Sequence, residues 1–570
     1  NANISVVTRD EIENAHYDNL EEALRTVPGV QINDYNLPGY NTGSLRINGA
    51  SNVVVLIDGV RANHGSQGFQ AAYHSLDNVE RVEVLKGAAS TLYGADAKGG
   101  VINIITRKAE KNKSKITISG GDFSTEEYKL HNEGKVDTWS WNINLAKKKQ
   151  GNIEDGSGKE WINDYDSENV HLKINKELGE NSNLTVGYDL VKYDYLYENN
   201  PANSYYTKCA YGDGEEEGWF ANWNQKINDT LSNTLAIRNS EYSYNYVSGT
   251  YRSLTNYKTL SVSDYLTKNF NDVHIVTTGF DFVRDEDMSY DYGKTYQRSI
   301  YLQDEWKFDN KWKVTAGIRR DDHSRAGSST TSRVNLGYEF DENTNMYVGY
   351  NEFFVAPSIY YMTSGNGNPN LKPEEGENYE IGINHKFDDT LTMTAHVFKR
   401  ETDSKIAFNS DTYRNENIGK EDAKGFDIQF SKLINNNLSI FTGYNYLHTE
   451  DDTYGDNHCG LFPRHTVNLG VNYDVKKFNA MLNARFALER GKGEGAGVSM
   501  LPDYNYCIVD MAVNYKPVNN IKIFAKVNNL FDKYYTESTD GNIPGWATPG
   551  EDGWYPMPGR TILIGAEYSF

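Results

Sequence analysis

The chain holds only three cysteines in 570 residues, Cys209, Cys459 and Cys507, too few for a disulfide framework. Proline is sparse, at 13 residues. The longest apolar run is VVVLI, Val53–Ile57, against the ~20 residues a spanning helix needs, so a transmembrane helix is excluded. A transmembrane β-barrel is not, because its strands alternate lipid-facing apolar with lumen-facing polar side chains and keep mean hydropathy low; here it is −0.69. Basic residues are outnumbered, 57 Lys and Arg against 79 Asp and Glu, for a net charge of −22. Nucleic-acid binding needs clustered positive charge, so nucleic acid is excluded as a partner. Catalytic signatures are missing as well. There is no nucleophile elbow, HExxH, P-loop or paired-cysteine metal motif, and no enzymatic activity is expected. No signal peptide is visible before ISVVTRDEIE, as expected of a trimmed or processed chain.

What is abundant is aromatic: 42 tyrosines and 22 phenylalanines, with 49 glycines. From Lys115 onward helical periodicity disappears, and alternating segments of about ten residues take over. WSWNINLAKK, VHIVTTGFDF, WKVTAGIRRD and TILIGAEYSF are clear cases. There are about 22 of them, the strand number of plugged outer-membrane transporters. Their connectors alternate between short Asn/Asp turns such as LGENSN, FDENTN and PVNN and long stretches such as 149–165, 198–214, 248–256 and 402–420. A barrel crossing one bilayer sorts its turns this way, and a soluble sandwich has no reason to. Backbone pairing in lipid then requires the sheet to close. Aromatics near strand ends, as in VKYDYLY and NEFF, are expected to form interfacial girdles.

Residues 1–108 have a different texture. A helix with an acidic first turn is expected over 18–24, stopped by Pro28-Gly29. Strands are expected in LRING, VVVLIDGV, VERVEVL and GGVINIIT, which makes a small α/β domain. The segment VERVEVLKGAASTLYGADAKGGVINIITR (79–107), preceded in order by LRTVPGV (24–30) and LRINGASNVVVLIDGVR (45–61), resembles the plug domain of TonB-dependent outer-membrane receptors. Within 113–570, SIYLQDEWKF, the FFVAP…NPNL segment (353–382), KVNNLFDKYY and a final strand ending on Phe570 resemble the barrel of the same family.

The resemblance implies an all-β transmembrane fold, a 22-stranded antiparallel β-barrel (113–570) with an N-terminal α/β plug (1–108) in its lumen. It implies location in the outer membrane and energised import of a scarce, bulky nutrient, with the TonB box expected upstream of Asn1. The FxAP and NPNL boxes favour an iron chelate, haem or siderophore. Cobalamin is the alternative, because the chain is short for the family and its plug loops are uncharged. A surface-binding barrel without import is the reading from another class. Expected partners are TonB with its inner-membrane energising complex, a small-molecule metal chelate and outer-membrane lipid; the expected state is a monomer.

Two plug loops, DYNLPGYNTG (34–43) and ANHGSQGFQAAYHS (62–75), are rich in Asn, Gln, Tyr and Gly, a mix suited to a large neutral or conjugated ligand. In the resembling family they form the floor of the ligand site. The candidate ligand residues are therefore Asn36, Tyr40, Asn63, His64, Gln67, Phe69 and Tyr73, with Tyr360 and Tyr361 from the barrel. His64 is a candidate haem ligand, against the plainer reading of a polar surface histidine. No His stands between the FxAP and NPNL boxes, where haem receptors often carry one. The family latches plug to barrel with Arg–Glu pairs. The matching positions here are Arg46 and Lys86 on the plug and Glu380 and Asp427 on the barrel, and Lys or Asp at such a site loosens a bidentate contact. Asp155, Asp164 and Asp166 in 151–169, and Asp213 in 211–218, are read as external-loop acids and candidate Ca²⁺ ligands; their spacing fits no EF-hand, and solvated acidic loops compete. Import requires no cofactor beyond such structural ions. Cys209 and Cys459 fall in candidate outer loops and are a candidate pair in an oxidising compartment. Cys507 begins an apparent strand.

Overall fold

The computed structural model describes residues 3–32, 45–65, 68–198, 208–289, 292–409, 411–452, 455–457, 462–490, 505–539 and 554–570. Twenty-two strands, from Lys113–Gly121 to Thr561–Ser569, close into one antiparallel barrel. The last strand pairs with the first, from Leu563↔Gly121 to Ser569↔Lys115. The alternation that drives closure is plain in that last strand: Ile562, Ile564 and Tyr568 point outward and are exposed, while Leu563 and Glu567 are buried. Across the barrel the usual order of a soluble protein is inverted. Asn142, Asn144, His171, Arg238 and Asp427 are buried within, and Ile300, Leu302, Ile318 and Val397 are exposed without, as a lipid surround requires. No described helix is long and apolar enough to cross a membrane.

One barrel end carries tight turns, at 137–138, 342–343 and 519–520. The plug joins the barrel there, where Phe570 N donates to Ser114 O at 2.9 Å. Three expected long loops at the other end are largely strand, among them 402–420, which the strands Leu391–Asn409 and Arg414–Asn435 enter from both sides. Leu231–Ser248 and Tyr251–Phe270 meet at a turn over 249–250, and the acidic stretch 211–218 lies inside the strand Cys209–Asn228. Gly212 and Gly214 conceal that strand, because they hold inward positions beneath neighbouring rings. A Cβ at Gly212 would meet the Tyr195 ring at 2.1 Å, and one at Gly214 the Tyr193 ring at 2.1 Å, so half of the alternation carries no side chain. The expected girdle is also displaced. Tyr193, Tyr195 and Tyr197 of VKYDYLY and Phe353 of NEFF take inward positions and are buried, and Phe354 is buried as well, whereas Trp219, Trp306, Phe308, Phe340 and Phe387 are exposed.

The plug comprises β1 (Asn3–Thr8), α1 (Arg9–Ala15), α2 (Leu20–Leu24), β2 (Val30–Ile32), β3 (Leu45–Ile47), β4 (Val53–Ile57), β5 (Val60–Arg61), β6 (Val79–Lys86), α3 (Ser90–Tyr93) and β7 (Gly100–Thr106). Its main sheet runs β1-β6-β7-β4-β5, with β4 and β7 parallel. Leu20, Leu24, Ile47, Val55, Val82 and Ile102 form its core. Helix α1 was not anticipated, although its signal is Thr8-x-x-Glu11, a capping box: Thr8 Oγ1 accepts from Glu11 N, and Glu11 Oε2 accepts from Thr8 N at 2.6 Å.

Candidate functional site at the plug–barrel interface

On one flank the plug is sealed to the wall. Lys86, at the end of β6, lies with Nζ 3.1 Å from Asp427 Oδ1 in the strand Arg414–Asn435 and also donates to Pro28 O at 3.0 Å. Both side chains are almost wholly buried. Asp427 further accepts from Asn3 Nδ2 at 3.0 Å. Nearby, Lys98 Nζ reaches Glu421 at 2.9 Å, and Arg400 Nη2 donates to Asn48 O at 3.0 Å. Burial pulls the Lys98 ammonium below its ordinary pKa, against the attraction of Glu421.

The opposite flank is open. At the long-loop end a cavity of about 260 Å³ separates the plug from the wall. Its plug side is the 18–25 segment containing α2, with Ala72, Tyr73 and Ser75; its wall side draws on the strands Thr125–Val136, Trp139–Gln150, Asn163–Glu177, Tyr506–Val518 and Ile521–Asn528. The charges here are networked. Asp18 meets Lys148 at 2.7 Å and Lys526 at 3.4 Å, Glu22 meets Lys526 at 2.7 Å, and Glu537 takes both Arg25 at 2.9 Å and Arg485 at 2.8 Å. Burial raises the Asp18 pKa, but Lys148 and Lys526 more than offset it, so the carboxyl lies below its ordinary range. The Tyr73 ring stacks on Tyr193 at 3.6 Å and 3°, and burial holds its phenol pKa well above the ordinary value, so the hydroxyl stays neutral.

A stopper charge-paired inside a 22-stranded barrel is a specific architecture, and comparison with known proteins identifies it. Residues 1–101 match the family described as TonB-dependent Receptor Plug Domain, and residues 243–530 the family described as TonB dependent receptor-like, beta-barrel. The chain belongs to the TonB-dependent receptors. It is an outer-membrane protein of a family of transport receptors. Its relatives include the "Vitamin B12 transporter BtuB" of Vibrio cholerae, 26% identical over 612 residues that cover 100% of this chain and 92% of the relative. The "Iron-regulated outer membrane virulence protein" of the same species is 24% identical, covering 100% and 92%. Among solved structures, the ferric-catecholate import receptor Fiu of E. coli superposes with a TM-score of 0.82 at 20% identity, covering 100% of this chain and 97% of that one. The ferripyoverdine receptor of Pseudomonas aeruginosa gives 0.82 at 18%, covering 100% and 86%. These likenesses establish the shared fold.

The receptor distributes its expected site residues unevenly. Tyr73 lines the cavity. Asn63 serves the plug instead, donating to Val53 O at 3.0 Å and accepting from Val55 N at 2.8 Å. His64 is wholly buried, with Nε2 3.0 Å from Glu216 Oε1, a placement that removes it from the surface and from the cavity. Phe69 is buried and stacks on His74 at 4.2 Å. Tyr360 and Tyr361 sit on the short helix Ile359–Thr363, exposed and away from the cavity lining, Tyr360 edge-on to Tyr292 at 5.9 Å. Asn36, Tyr40, Gln67 and Cys459 lie outside the described residues. Of the four expected latch residues, Lys86 and Asp427 meet; Glu380 instead accepts from His396 Nε2 at 3.2 Å and Asn351 Nδ2 at 3.1 Å. Arg46 lies over the Phe462 ring at 5.1 Å and donates to Gly49 O at 3.4 Å.

The expected loop acids have other work. Asp155 closes its own loop, accepting from Ser157 N at 2.8 Å, Lys159 N at 3.2 Å and Trp161 Nε1 at 2.8 Å. Asp164 and Asp166 stand in the strand Asn163–Glu177, where Asp166 meets Lys149 at 3.3 Å. Asp213 accepts from Asn245 Nδ2 at 3.1 Å. Among the described residues no group of three or more His, Cys, Asp or Glu is arranged to hold a metal. Cys209 and Cys507 both lie at strand starts, partly buried. Sequence reasoning missed a tyrosine ladder on the inner wall: Tyr193 pairs with Tyr242 at 3.0 Å, Tyr197 with Tyr246 at 3.1 Å, and Tyr195 with Tyr244. Its signal was available in YDYLY and YSYNY, two runs with tyrosine at every second position.

Proposed function

We propose that the receptor binds a bulky ligand of low net charge at the outer cavity, cobalamin first, and imports it by TonB-coupled displacement of the plug. The carrying observation is the charge of the cavity. Its lining holds Asp18, Glu21, Glu22, Glu127 and Asp510 against Arg25, Lys148, Arg485 and Lys526, and most of these are already paired with one another. A highly anionic tris-catecholate complex calls for a cationic excess, which this lining lacks. A near-neutral corrinoid asks for hydrogen bonds and aromatic surface, which Tyr73, Tyr165, Tyr535 and Asn163 offer. The cavity volume is below the ~300–1,000 Å³ of ordinary ligand pockets, so it seats an edge of the ligand rather than its whole bulk. The whole-length relatives named as vitamin B12 transporters support the same reading.

An iron chelate of low net charge, of the hydroxamate kind, is the second reading. It is favoured by the FFVAP…NPNL segment and by the iron-regulated relative. Titration of the purified receptor with cyanocobalamin, a ferric hydroxamate and a ferric catecholate, followed by visible absorbance, separates them. Saturable cobalamin binding with one site per chain is expected. Catecholate binding without cobalamin binding would overturn the charge argument. Uptake by whole cells that stops when TonB is deleted is the expected sign of import, and uptake unchanged by that deletion would favour a passive surface binder.

A further inference from the structure

Glu216 stands at an inward position of the strand Cys209–Asn228 and is buried. Among the described residues its ion-pair partners are two plug histidines. His74 Nε2 donates to Oε2 at 3.0 Å, and His64 Nε2 approaches Oε1 at 3.0 Å without hydrogen-bond alignment. A carboxylate buried in a wall is costly unless it is paired, and here the partners come from the other domain. The two histidines are seated in turn: the His74 ring stacks on Phe69 at 4.2 Å, and the His64 ring faces Tyr242 at 5.6 Å.

His74 is also the hub of the cavity's plug side. Its neighbours Tyr73 and Ser75 line the cavity. Tyr73 is stacked on Tyr193, and Ser75 N donates to Asn169 Oδ1 at 3.2 Å. The His74 carbonyl accepts from Leu20 N at 3.2 Å, which ties it to α2, the helix beside Asp18, Glu22 and Arg25. One residue thus joins the wall through its ring, α2 through its carbonyl, and the aromatic lining through its chain neighbour Tyr73. Glu216 is not itself part of the lining.

We infer that Glu216 is a positioning residue for ligand binding: by gripping His74 and His64 it fixes the plug segment that presents Tyr73 and Ser75 to the ligand. This rests on the outer cavity being the ligand site, as proposed above, but not on which ligand fills it. The group that matters is a polar side chain of glutamate length that accepts from His74 and lies against His64. Glutamine keeps both, since its carbonyl oxygen accepts from the His74 N–H and its amide stands where Oε1 faces His64. Leucine keeps the volume and loses both.

The test compares Glu216→Leu, Glu216→Gln and His74→Leu in the full receptor. Three readouts are needed: hydrogen exchange of the 68–75 amides, affinity for cyanocobalamin and for a ferric hydroxamate, and the melting temperature of the barrel. Glu216→Leu and His74→Leu are expected to speed exchange across 68–75 at least tenfold and to weaken binding at least tenfold, with barrel melting unchanged. Glu216→Gln should stay within threefold of the parent in both, a rescue that simple packing at this site would not distinguish from leucine. Unchanged exchange in Glu216→Leu overturns the inference, as does faster exchange with unchanged affinity for whichever probe binds. If the parent binds only the ferric hydroxamate, the cobalamin reading fails while the exchange and affinity comparison still decides the role of Glu216.

Discussion

The sealed and open flanks of the plug use the same chemistry, ion pairs across a domain boundary, with different packing. On the sealed flank Lys86 and Lys98 each face one principal carboxylate, Asp427 and Glu421, and are almost fully buried. On the open flank Lys526 serves both Asp18 and Glu22, Glu537 serves both Arg25 and Arg485, and a cavity lies alongside. Asp427 also meets His396 at 3.4 Å, and Glu421 also meets Lys405 at 3.3 Å and Arg400 at 3.5 Å. Each plug lysine, however, has one carboxylate, so a fully buried ammonium fixes its position because losing that carboxylate strands it. Networked pairs beside a cavity tolerate the loss of one member, since the shared Asp18, Lys526 and Glu537 each keep a second partner. Anchorage thus falls to the first flank, and the proposed ligand contact to the second.

The largest expected effect is on the sealed flank. Lys86→Ala should destabilise the docked plug by about 3 kcal/mol, because Asp427 loses its buried ammonium and keeps only Asn3, Gln429 and His396 around it. The double variant Lys86→Met/Asp427→Leu should recover most of that loss, since it removes both charges. Lys148→Ala on the open flank should cost only about 1 kcal/mol, as expected for a partly exposed pair, with Asp18 still held by Lys526. Calorimetric melting of the plug checks all three. Equal losses for Lys86→Ala and Lys148→Ala would erase the distinction between the flanks.

Ligand binding should sort the other way. Tyr73→Ala removes the stack on Tyr193 and an aromatic face of the cavity. A stacked pair contributes about 0.5–1.5 kcal/mol beyond area burial, so affinity should fall about two- to tenfold. Tyr360→Ala, outside the cavity lining, should change it less than twofold. A titration with the ligand that binds measures both, and a larger loss at Tyr360 would move the site to the helix Ile359–Thr363.

The barrel was legible because its signal is distributed. Two-residue alternation repeated some twenty times survives local exceptions, and the exceptions have physical causes. Gly212 and Gly214 vacate inward positions for the Tyr193 and Tyr195 rings, which made a strand look like an acidic loop. The lumen-facing tyrosines of YDYLY looked like a girdle because an aromatic at a strand end carries no sign of which face it takes. The site was less legible for the same reason. Lys148, Lys526 and Glu537 are single charges on separate strands, brought together only by closure of the barrel. His64 attracted attention as a loop histidine, yet its partner Glu216 lies 152 positions along the chain, hidden in that same misread strand. Lys86 and Asp427 were reachable only through resemblance, because nothing local marks a lysine at the end of β6 as the partner of a distant aspartate.

The smallest effects concern pH, and they fall in opposite pH ranges on the two flanks. On the open flank Asp18 and Asp77 have folded pKa values below the ordinary aspartate range: burial raises them, and Lys148 and Lys129 respectively more than offset it. Unfolded, each titrates near about 3.9. Such groups contribute stability fully above that value and lose it as pH falls through the folded pKa. The melting difference between the parent and Asp18→Asn should therefore be constant from pH 7 to pH 5 and shrink only below about pH 4. On the sealed flank Lys98 has a folded pKa lowered by burial. Its unfolded state binds more protons in the interval up to about 10.4, so stability from this group rises with pH there. Lys98→Met should flatten that alkaline rise and leave the acid limb untouched. If Lys98→Met altered the acid limb, or Asp18→Asn the alkaline one, the two flanks would be coupled through the plug rather than acting as separate anchors and contacts.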